Sequence, residues 1–566
     1  MSESNTVDIE KARKECEEEA LYHQTMMLRA RTRRNTFAPI SRLHEELLAE
    51  IFLHFQRWNT FSLAEPARIQ EYTPPIKYPY RWLSITHVCR HWRTVAHSCP
   101  RLWTRLIFSR RGLMALAVSC SGRMPLHFNA DLLRISMEGM GGVKVVLREI
   151  DRIEHLDLTA SWHHIVHVHD CLARPAPLLR TLRLFEPMGG MGSAGGRGFT
   201  SPLFQAEHPQ LQKLALLGVP LVQWTNPLLC PSLTELYLER YETTSYSPTM
   251  SEMLTALENM PLLRVIELKS ILPNDKSEKK SRALKTVIMP HLQSISLSGG
   301  RLSPKQCAYI LDHLSLPALR ALSLSCLKAD GLDTLLSYLA TFLHGVEPLR
   351  ACFMDLQRRF CMEASTSSNL PIDSLSEPGF CLDLRMYASR RKHVLDPAMA
   401  FWRTLPLTHI ETLLVRADNI FVAEEWRKIL AGLHEVTALH ILDFPHPSLL
   451  EQLSEHDVVK TDPSGEITDL MLPALRNIKF SEVTFASNTD KSAPKLVDIL
   501  YELLDNRLKH GCGIQKLTLY HCTSLTKQDI ETLKNKVHDL VVDDSWPTRI
   551  SAFAKSKLQW CNGVGI

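Results

Sequence analysis

The sequence predicts a mixed α/β chain in which short parallel strands alternate with helices as stacked repeats, preceded by a helical N-terminal region. Three observations lead to this prediction. A phrase of the form Pro-x-Leu-x-x-Leu-x-Leu recurs along the chain, the segments between its copies have helical spacing, and the first 103 residues have helical periodicity without that phrase. With 566 residues, the chain is long enough to bury one elongated core or several compact ones.

Composition narrows the class of protein. Hydrophobic residues make up 45% of the chain and charged residues 22%, as in ordinary folded proteins. The net charge of +4 is too balanced to indicate nucleic acid as a partner, and the absence of a run of about 18 apolar residues argues against a membrane partner. Fourteen cysteines without a CxxC pair argue against a zinc ribbon and a disulfide framework. Isolated thiols and a polar, acidic N-terminus predict a cytoplasmic and/or nuclear protein.

Three segments precede the repeats. Residues 1–36 predict a charged helix whose basic end (Arg29, Arg31, Arg33 and Arg34) is either a solvated helix terminus or a nuclear import patch. In residues 40–55, large apolar side chains recur at steps of three and four, which places them on one helix face, and Ser41 is the expected N-cap. After a proline-containing stretch, residues 81–103 form a second amphipathic helical segment that Pro100 ends.

The recurring phrase predicts one short strand in each repeat. Seven copies start 22 to 32 residues apart, with their first apolar residues at 153, 179, 211, 233, 263, 292 and 319, and later copies lie at 410–415, 436–441, 473–480, 514–519 and 537–542. The last two Leu are two residues apart and so share one face of a strand. Less certain strands near 349–354 and 382–386 divide the long gap after residue 319.

A strand and a helix cannot bury their apolar faces alone, whereas stacked copies share one continuous core. This pattern resembles an irregular leucine-rich-repeat solenoid. The resemblance implies that each unit buries three apolar side chains together and stacks on its neighbour. We therefore expect one unit to hold Leu319, Leu322 and Leu324, with Leu292, Ile295 and Leu297 beside them.

The segments PISRLHEELLAEIF and VCRHWRTVAHSCPRLW resemble an F-box, the helical module that docks on the Skp-type adaptor of cullin–RING ubiquitin ligases. His44 stands where the family usually has Pro, and the connection over residues 56–81 is longer than usual. An F-box before a leucine-rich solenoid resembles the F-box-like proteins of mushroom-forming fungi. The resemblance implies an F-box-like domain over 37–104, a solenoid over 105–566, and an adaptor interface made of Leu43, Leu47, Leu48, Ile51, Phe52, Val88, Cys89, Trp92 and Trp103.

The resemblance also implies a function. The chain would be a non-catalytic substrate receptor of an SCF-type ubiquitin ligase, with the Skp-type adaptor and the cullin core as partners and an unknown target protein on the solenoid. Leu47, Leu48, Ile51 and Phe52 would point outward toward the adaptor, with Trp92 and Trp103 partly internal. Two alternatives stay open: the chain is a scaffold outside any ligase, or the helical hairpin only caps the first repeat.

Other motifs indicate no chemistry. Histidines 163, 164, 167 and 169 are dense, and His163 and His167 share a helix face, but neither HExxH nor a Cys cluster accompanies them. The glycine-rich stretch 189–198 lacks the Gly-Lys-Ser/Thr ending of a phosphate loop. No nucleophile–base motif is visible, and Asp543-Asp544 has the character of a solvated turn. We therefore expect no catalytic residues, no metal and no cofactor.

Overall fold

A computed structural model describes most of the chain, which divides into two compact units, Met1–Pro220 and Leu221–Ile566. The glycine-rich stretch 189–198 and Asp544 lie outside the described residues. The predicted domain boundaries after residues 36 and 104 stay predictions. The described residues are 3–60, 80–136, 139–187, 203–206, 210–219, 224–240, 248–273, 285–300, 302–327, 329–357, 359–368, 379–387, 392–416, 421–443, 447–454, 456–457, 469–485 and 495–543.

The first unit begins with helices and continues with strand–helix repeats. Its N-terminal charged helix is continuous, as the sequence predicts. The elements are α1 (Glu3–Thr36), α2 (Glu45–Thr60), α3 (Arg90–His97), β1 (Arg105–Ile107), α4 (Arg111–Cys120), β2 (Leu126–Asp131), α5 (Met140–Leu147), β3 (Ile153–Thr159), α6 (Trp162–Leu172), β4 (Thr181–Phe185) and β5 (Lys213–Leu217).

The five strands of this unit form a parallel sheet in chain order, each paired with the next. Side chains along β2 alternate between buried and half-buried, so one face of the sheet joins the core and the other stays polar. Met114, Val146 and Ile165, from the three helices that connect the strands, are fully buried. Strands β1 and β2 precede the first copy of the Leu phrase and were not predicted.

The second unit extends the same strand–helix alternation. Its first elements are β6 (Glu235–Glu239), α7 (Met250–Glu258), β7 (Val265–Lys269), β8 (Val287–Ile288), β9 (Ser294–Ser298), α8 (Pro304–Asp312), β10 (Leu314–Ser315), β11 (Ala321–Cys326), α9 (Leu332–Leu343), β12 (Ala351–Asp355), β13 (Arg359–Ser365) and β14 (Cys381–Tyr387).

The remaining elements of the second unit follow the later copies of the phrase. They are α10 (Lys392–Thr404), β15 (Thr412–Arg416), α11 (Ala423–Leu430), β16 (Ala438–Leu442), α12 (Pro447–Ser454), β17 (His456–Asp457), β18 (Asp469–Leu470), β19 (Asn477–Ser481), α13 (Leu496–Lys509), β20 (Lys516–Tyr520), α14 (Lys527–Lys536) and β21 (Asp539–Asp543).

Local sequence explains where several of these helices begin. Thr249 caps α7 and Ser303 caps α8, and each side chain accepts a hydrogen bond from the backbone N–H three residues later. Glu252 and Gln306 complete the exchange by accepting from the cap residue's own backbone N–H. These reciprocal bonds satisfy backbone donors that the first helical turn leaves unpaired.

The sheet of the second unit departs from chain order in one place. Strand β11 pairs with β14, not with β12, and β12 instead pairs with β15. Strand β13 fills the space between β12 and β14 and runs antiparallel to both. The prediction of parallel strands alone is therefore wrong here, because two strands that follow each other without a helix form an antiparallel pair.

The remaining main-sheet pairings of this unit are parallel, and they join β6 to β7, β7 to β9, β9 to β11, β15 to β16, β16 to β19, β19 to β20 and β20 to β21.

The predicted stacking of neighbouring repeats is confirmed at β9 and β11. Leu322 lies opposite Ile295 and Leu324 opposite Leu297, and all four are at most 2% exposed. Leu319 is the exception, since it is half-buried where full burial was expected. The neighbour of β11 on this side is β14 and not the next strand along the chain, so the regular stacking of consecutive repeats ends at this unit.

His440 on β16 gives the second unit a pH dependence. Its Nε2 lies 2.8 Å from the Ser481 hydroxyl, and burial, aided by the nearby Lys479 charge, lowers the pKa of His440 to about 3. In the unfolded chain His440 binds a proton near pH 6.5. The contribution of neutral His440 to the free energy of unfolding is therefore fully present above that pH and is lost as the pH drops toward 3. By pH 5 the loss in unfolding free energy should be about 2 kcal/mol.

Urea unfolding at pH 7.5 and pH 5 measures this loss. His440→Gln removes the titrating group, so it should lose about 2 kcal/mol less than the wild type between the two pH values. His291→Gln, at an exposed position of the same unit, serves as the control and should behave as the wild type. Equal pH dependence in His440→Gln and wild type would contradict the assignment.

Candidate protein-interaction surface

Within 37–104, the described residues 37–60 and 80–104 fold around a small aromatic core. Trp103 is 1% exposed, and its indole N–H donates to the Ala96 carbonyl over 2.8 Å. Its ring meets that of Trp82 edge-on at 5.1 Å, and Phe52 contacts Trp92 at the same centroid distance. These contacts hold α2 against α3 and the 3-10 turns on either side of it. We call residues 37–104 the N-terminal module.

The start of α2 differs from the sequence prediction. Ser41 lies in a 3-10 turn and donates its hydroxyl to the Asn35 carbonyl, so it is not the N-cap. The helix begins at Glu45, and the His44 carbonyl accepts its first backbone hydrogen bond, from Leu48. His44 therefore occupies the cap position, and its Nδ1 pairs with the Glu46 carboxylate. That hydrogen bond from His44 lowers the pKa of Glu46.

The structure separates the predicted adaptor contacts into two sets. Leu48, Phe52 and Trp103 are buried in the module core, which corrects the expectation that Leu48 and Phe52 point outward. Helical geometry is the reason, because residues four apart share a face and this face packs on α3. Trp92 and Leu43 are half-buried, and Cys89 is a half-buried cap whose sulfur accepts the Trp92 backbone N–H.

The exposed set forms a stripe along α2. Leu47 is 57% exposed, Ile51 45% and Phe55 39%, and their spacing of four residues keeps them on one side of the helix. We call Leu47, Ile51 and Phe55 the α2 stripe. Phe55 belongs to the predicted apolar face but was not assigned to the adaptor interface. Because Phe55 lies one helical turn beyond Ile51, the spacing alone could have assigned it to the same interface.

Val88 adds apolar surface at the entry to α3. It is 57% exposed and lies in the short link between His87, which ends a 3-10 turn, and Arg90, which begins α3. Three residues later, His91 Nδ1 is 3.9 Å from the Glu45 carboxylate at the start of α2. The turn that carries Val88 is therefore close to the first turn of α2. Farther along α2, Arg101 pairs with Glu50 at 2.7 Å and supplies a polar border.

The module is joined to the first strand of the sheet through Tyr80. The Tyr80 hydroxyl donates to the Ile107 carbonyl and accepts the Ile107 backbone N–H over 3.0 Å. Burial raises the pKa of Tyr80, which keeps the phenol protonated and able to donate. Gln56 at the far end of α2 is 4% exposed and donates to the Leu102 carbonyl over 2.7 Å. These bonds fix the orientation of α2 on its own unit.

The polar faces of the two sheets are the second candidate surface. In the first unit Arg183 pairs with Asp157 at 2.8 Å, and the same carboxylate accepts from the Asn129 amide. In the second unit, Lys269 pairs with Glu239 and Arg385 with Asp383. Half-buried polar side chains of both charges therefore recur on the polar face of each unit's own sheet.

The predicted histidine cluster lies on α6. The rings of His163 and His167 are 4.7 Å apart, as expected for residues on one helix face, and His164 Nδ1 contacts the Ser161 hydroxyl. In the part of the chain that the structure describes, two other places bring three possible metal donors together, and neither includes α6. One of them, Cys361 with Glu363 and Asp383, already pairs its carboxylates with Arg385.

Comparisons with known proteins add little. No protein-family model matches the chain, and no curated protein matches it. Among solved structures, the chain is similar to the leucine-rich repeat-containing protein LegL7 from Legionella pneumophila, with 14% identity over 62% of this chain and 98% of that chain and a TM-score of 0.28. The strand pairing within this chain defines its repeats. Within the described residues, no helix is both long and apolar enough to cross a bilayer.

Proposed function

We propose that this protein is the substrate receptor of an SCF-type ubiquitin ligase. The N-terminal module binds the Skp-type adaptor, which connects the chain to the cullin core, and the polar sheet faces bind a target protein. In this proposal the chain itself catalyses no reaction. It brings the target to the ligase and so converts a bimolecular encounter into a nearly intramolecular one.

The α2 stripe is the observation that carries the proposal. The module buries the opposite side of α2 around Phe52, so its apolar core is complete without Leu47 and Ile51. Large apolar side chains that remain exposed after a core has formed commonly mark a protein interface. Their spacing along one helix fits the mode in which a helix presents apolar anchors to a partner groove. The F-box resemblance of the same segment names the adaptor as that partner.

The target surface is proposed from the sheets. A target protein that binds here would meet alternating charges such as the Lys269–Glu239 pair, whose nitrogen and oxygen are 2.6 Å apart. Mixed charges of this kind contribute more to the selection of a partner than to the strength of binding. The target is therefore expected to be a protein surface with complementary charges.

Binding of purified Skp-type adaptor to the full chain tests the proposal. We expect the double variant Leu47→Ala/Ile51→Ala to bind between about tenfold and a thousandfold more weakly than the wild type. Truncation of a buried interface anchor typically costs about 2 kcal/mol, and about 1.4 kcal/mol corresponds to one decade in affinity. Since both side chains are exposed, circular dichroism and the thermal midpoint should stay unchanged.

The matched control is Leu116→Ala/Leu133→Ala, which removes two leucines of similar exposure from the same unit outside the module. This control should bind adaptor as the wild type does. If the wild type binds no adaptor, the ligase proposal is wrong and a scaffold outside any ligase takes its place. If the Leu47/Ile51 variant binds as tightly as the wild type, the interface does not include the α2 stripe.

A further inference from the structure

A β-bulge in the first unit places three possible metal ligands on the polar face of the sheet. Leu126 lies opposite Ile153, but the next residue, His127, lies opposite His155, so β3 has one extra residue at Glu154. A regular strand would turn Glu154 toward the buried face with Leu156. The bulge instead leaves Glu154 and His155 both half-buried between the buried Ile153 and Leu156.

The three side chains converge. The rings of His127 and His155 are 4.0 Å apart between centroids. His127 Nε2 is 3.6 Å from one Glu154 oxygen, and His155 Nε2 is 4.0 Å from the other. One donor atom from each of the three residues can be chosen so that all lie within 4.8 Å of one another.

We infer that His127, Glu154 and His155 form a binding site for a divalent transition-metal ion of the Zn²⁺ type. Zinc bonds to histidine nitrogen and carboxylate oxygen are about 2.0–2.2 Å long, which places donor atoms about 3.3 Å apart in a tetrahedral site. The side chains would close on the ion by small rotations. Two imidazoles and one carboxylate leave a fourth position for water or for a donor atom from a bound partner.

The surroundings of the site fit this assignment. The side chains of His127 and His155 are 38% and 39% exposed, so an ion can enter from solvent. Arg180 holds one oxygen of Glu154 at 3.0 Å and leaves the oxygen nearer His127 available to an ion. An outer partner of this kind orients a ligating carboxylate.

Calorimetric titration of the full chain with Zn²⁺ alone tests the inference. All proteins carry Cys16→Ser, because Cys16 is the exposed thiol among the described cysteines. Removal of an outer partner of a metal site typically costs about 10- to 100-fold in affinity. Loss of a direct ligand in His127→Ala, His155→Ala or Glu154→Gln should therefore weaken Zn²⁺ binding at least tenfold.

The double variant His163→Ala/His167→Ala is the matched control, since it removes a histidine pair from the α6 surface of the same unit. It should bind Zn²⁺ as the parent does. Circular dichroism confirms that each variant is folded. The inference is overturned if the parent binds no Zn²⁺, if Glu154→Gln binds as tightly as the parent, or if only the α6 control loses binding. None of these outcomes bears on adaptor binding.

Discussion

Leu322→Asp should abolish the folding of the second unit. Leu322 is 2% exposed, and it lies opposite Ile295 on one neighbouring strand and Leu382 on the other. The substitution removes a buried leucine and puts a carboxylate in an apolar layer without a partner. The free energy of unfolding should fall by more than about 4 kcal/mol, which is a large part of the stability of an ordinary domain. The measurement is soluble yield, followed by urea unfolding of any soluble protein.

Ser325→Asp is the control for that experiment. Ser325 lies on the same strand but on its polar face, opposite Arg385 in the register. An added carboxylate there lies on the half-buried polar face, in register with a cation, so stability should change far less than in Leu322→Asp, by about 0.5 kcal/mol. A soluble Leu322→Asp protein with the wild-type unfolding midpoint would show that this strand does not belong to a continuous core.

Trp103→Ala should unfold the N-terminal module. The variant leaves a cavity between Trp82 and His97 and removes the donor to the Ala96 carbonyl. Truncation of a buried tryptophan typically costs about 3–5 kcal/mol. Limited proteolysis should then cut within residues 37–104 while the second unit stays resistant.

A conservative variant separates the indole hydrogen bond from the packing. Trp103→Phe keeps an aromatic ring in the core but leaves the Ala96 carbonyl without its donor, which should cost about 1–3 kcal/mol. The module should stay resistant to protease under native conditions. If Trp103→Ala is as resistant as the wild type, Trp103 is not a core residue, and the adaptor role first assigned to it becomes the better explanation.

Much of the repeat architecture could be predicted from spacing alone. The pair Leu322 and Leu324 share a strand face because their separation of two residues matches the strand period. The weak copies at 410–415 and 436–441 are strands β15 and β16 for the same reason. Strand β13 and the crossed order around β12 were not predicted, because strand order depends on which edges meet in space and not on local periodicity.

In the candidate sites too, local spacing could be predicted from the sequence, whereas packing could not. The sequence predicts an amphipathic helix over residues 40–55, and the helix is observed from Glu45 onward. Only packing, such as that of Phe52 on Trp92, decides that Leu48 and Phe52 face inward while Leu47 and Ile51 stay exposed. A helix pattern fixes which residues share a face and leaves open which face meets a neighbour.

The sequence by itself determined the period of the repeats, the apolar positions within them and the charged character of the first helix, because these follow from local spacing and side-chain chemistry. Only the tertiary structure decided that His127 on β2 meets Glu154 and His155 on β3. These residues are 27 and 28 positions apart, and a one-residue bulge, which depends on how two strands pair, turns Glu154 to the histidine side. In the sequence, the histidines of α6 are the ones that stand out, because proximity along the chain is the only proximity that a single sequence displays.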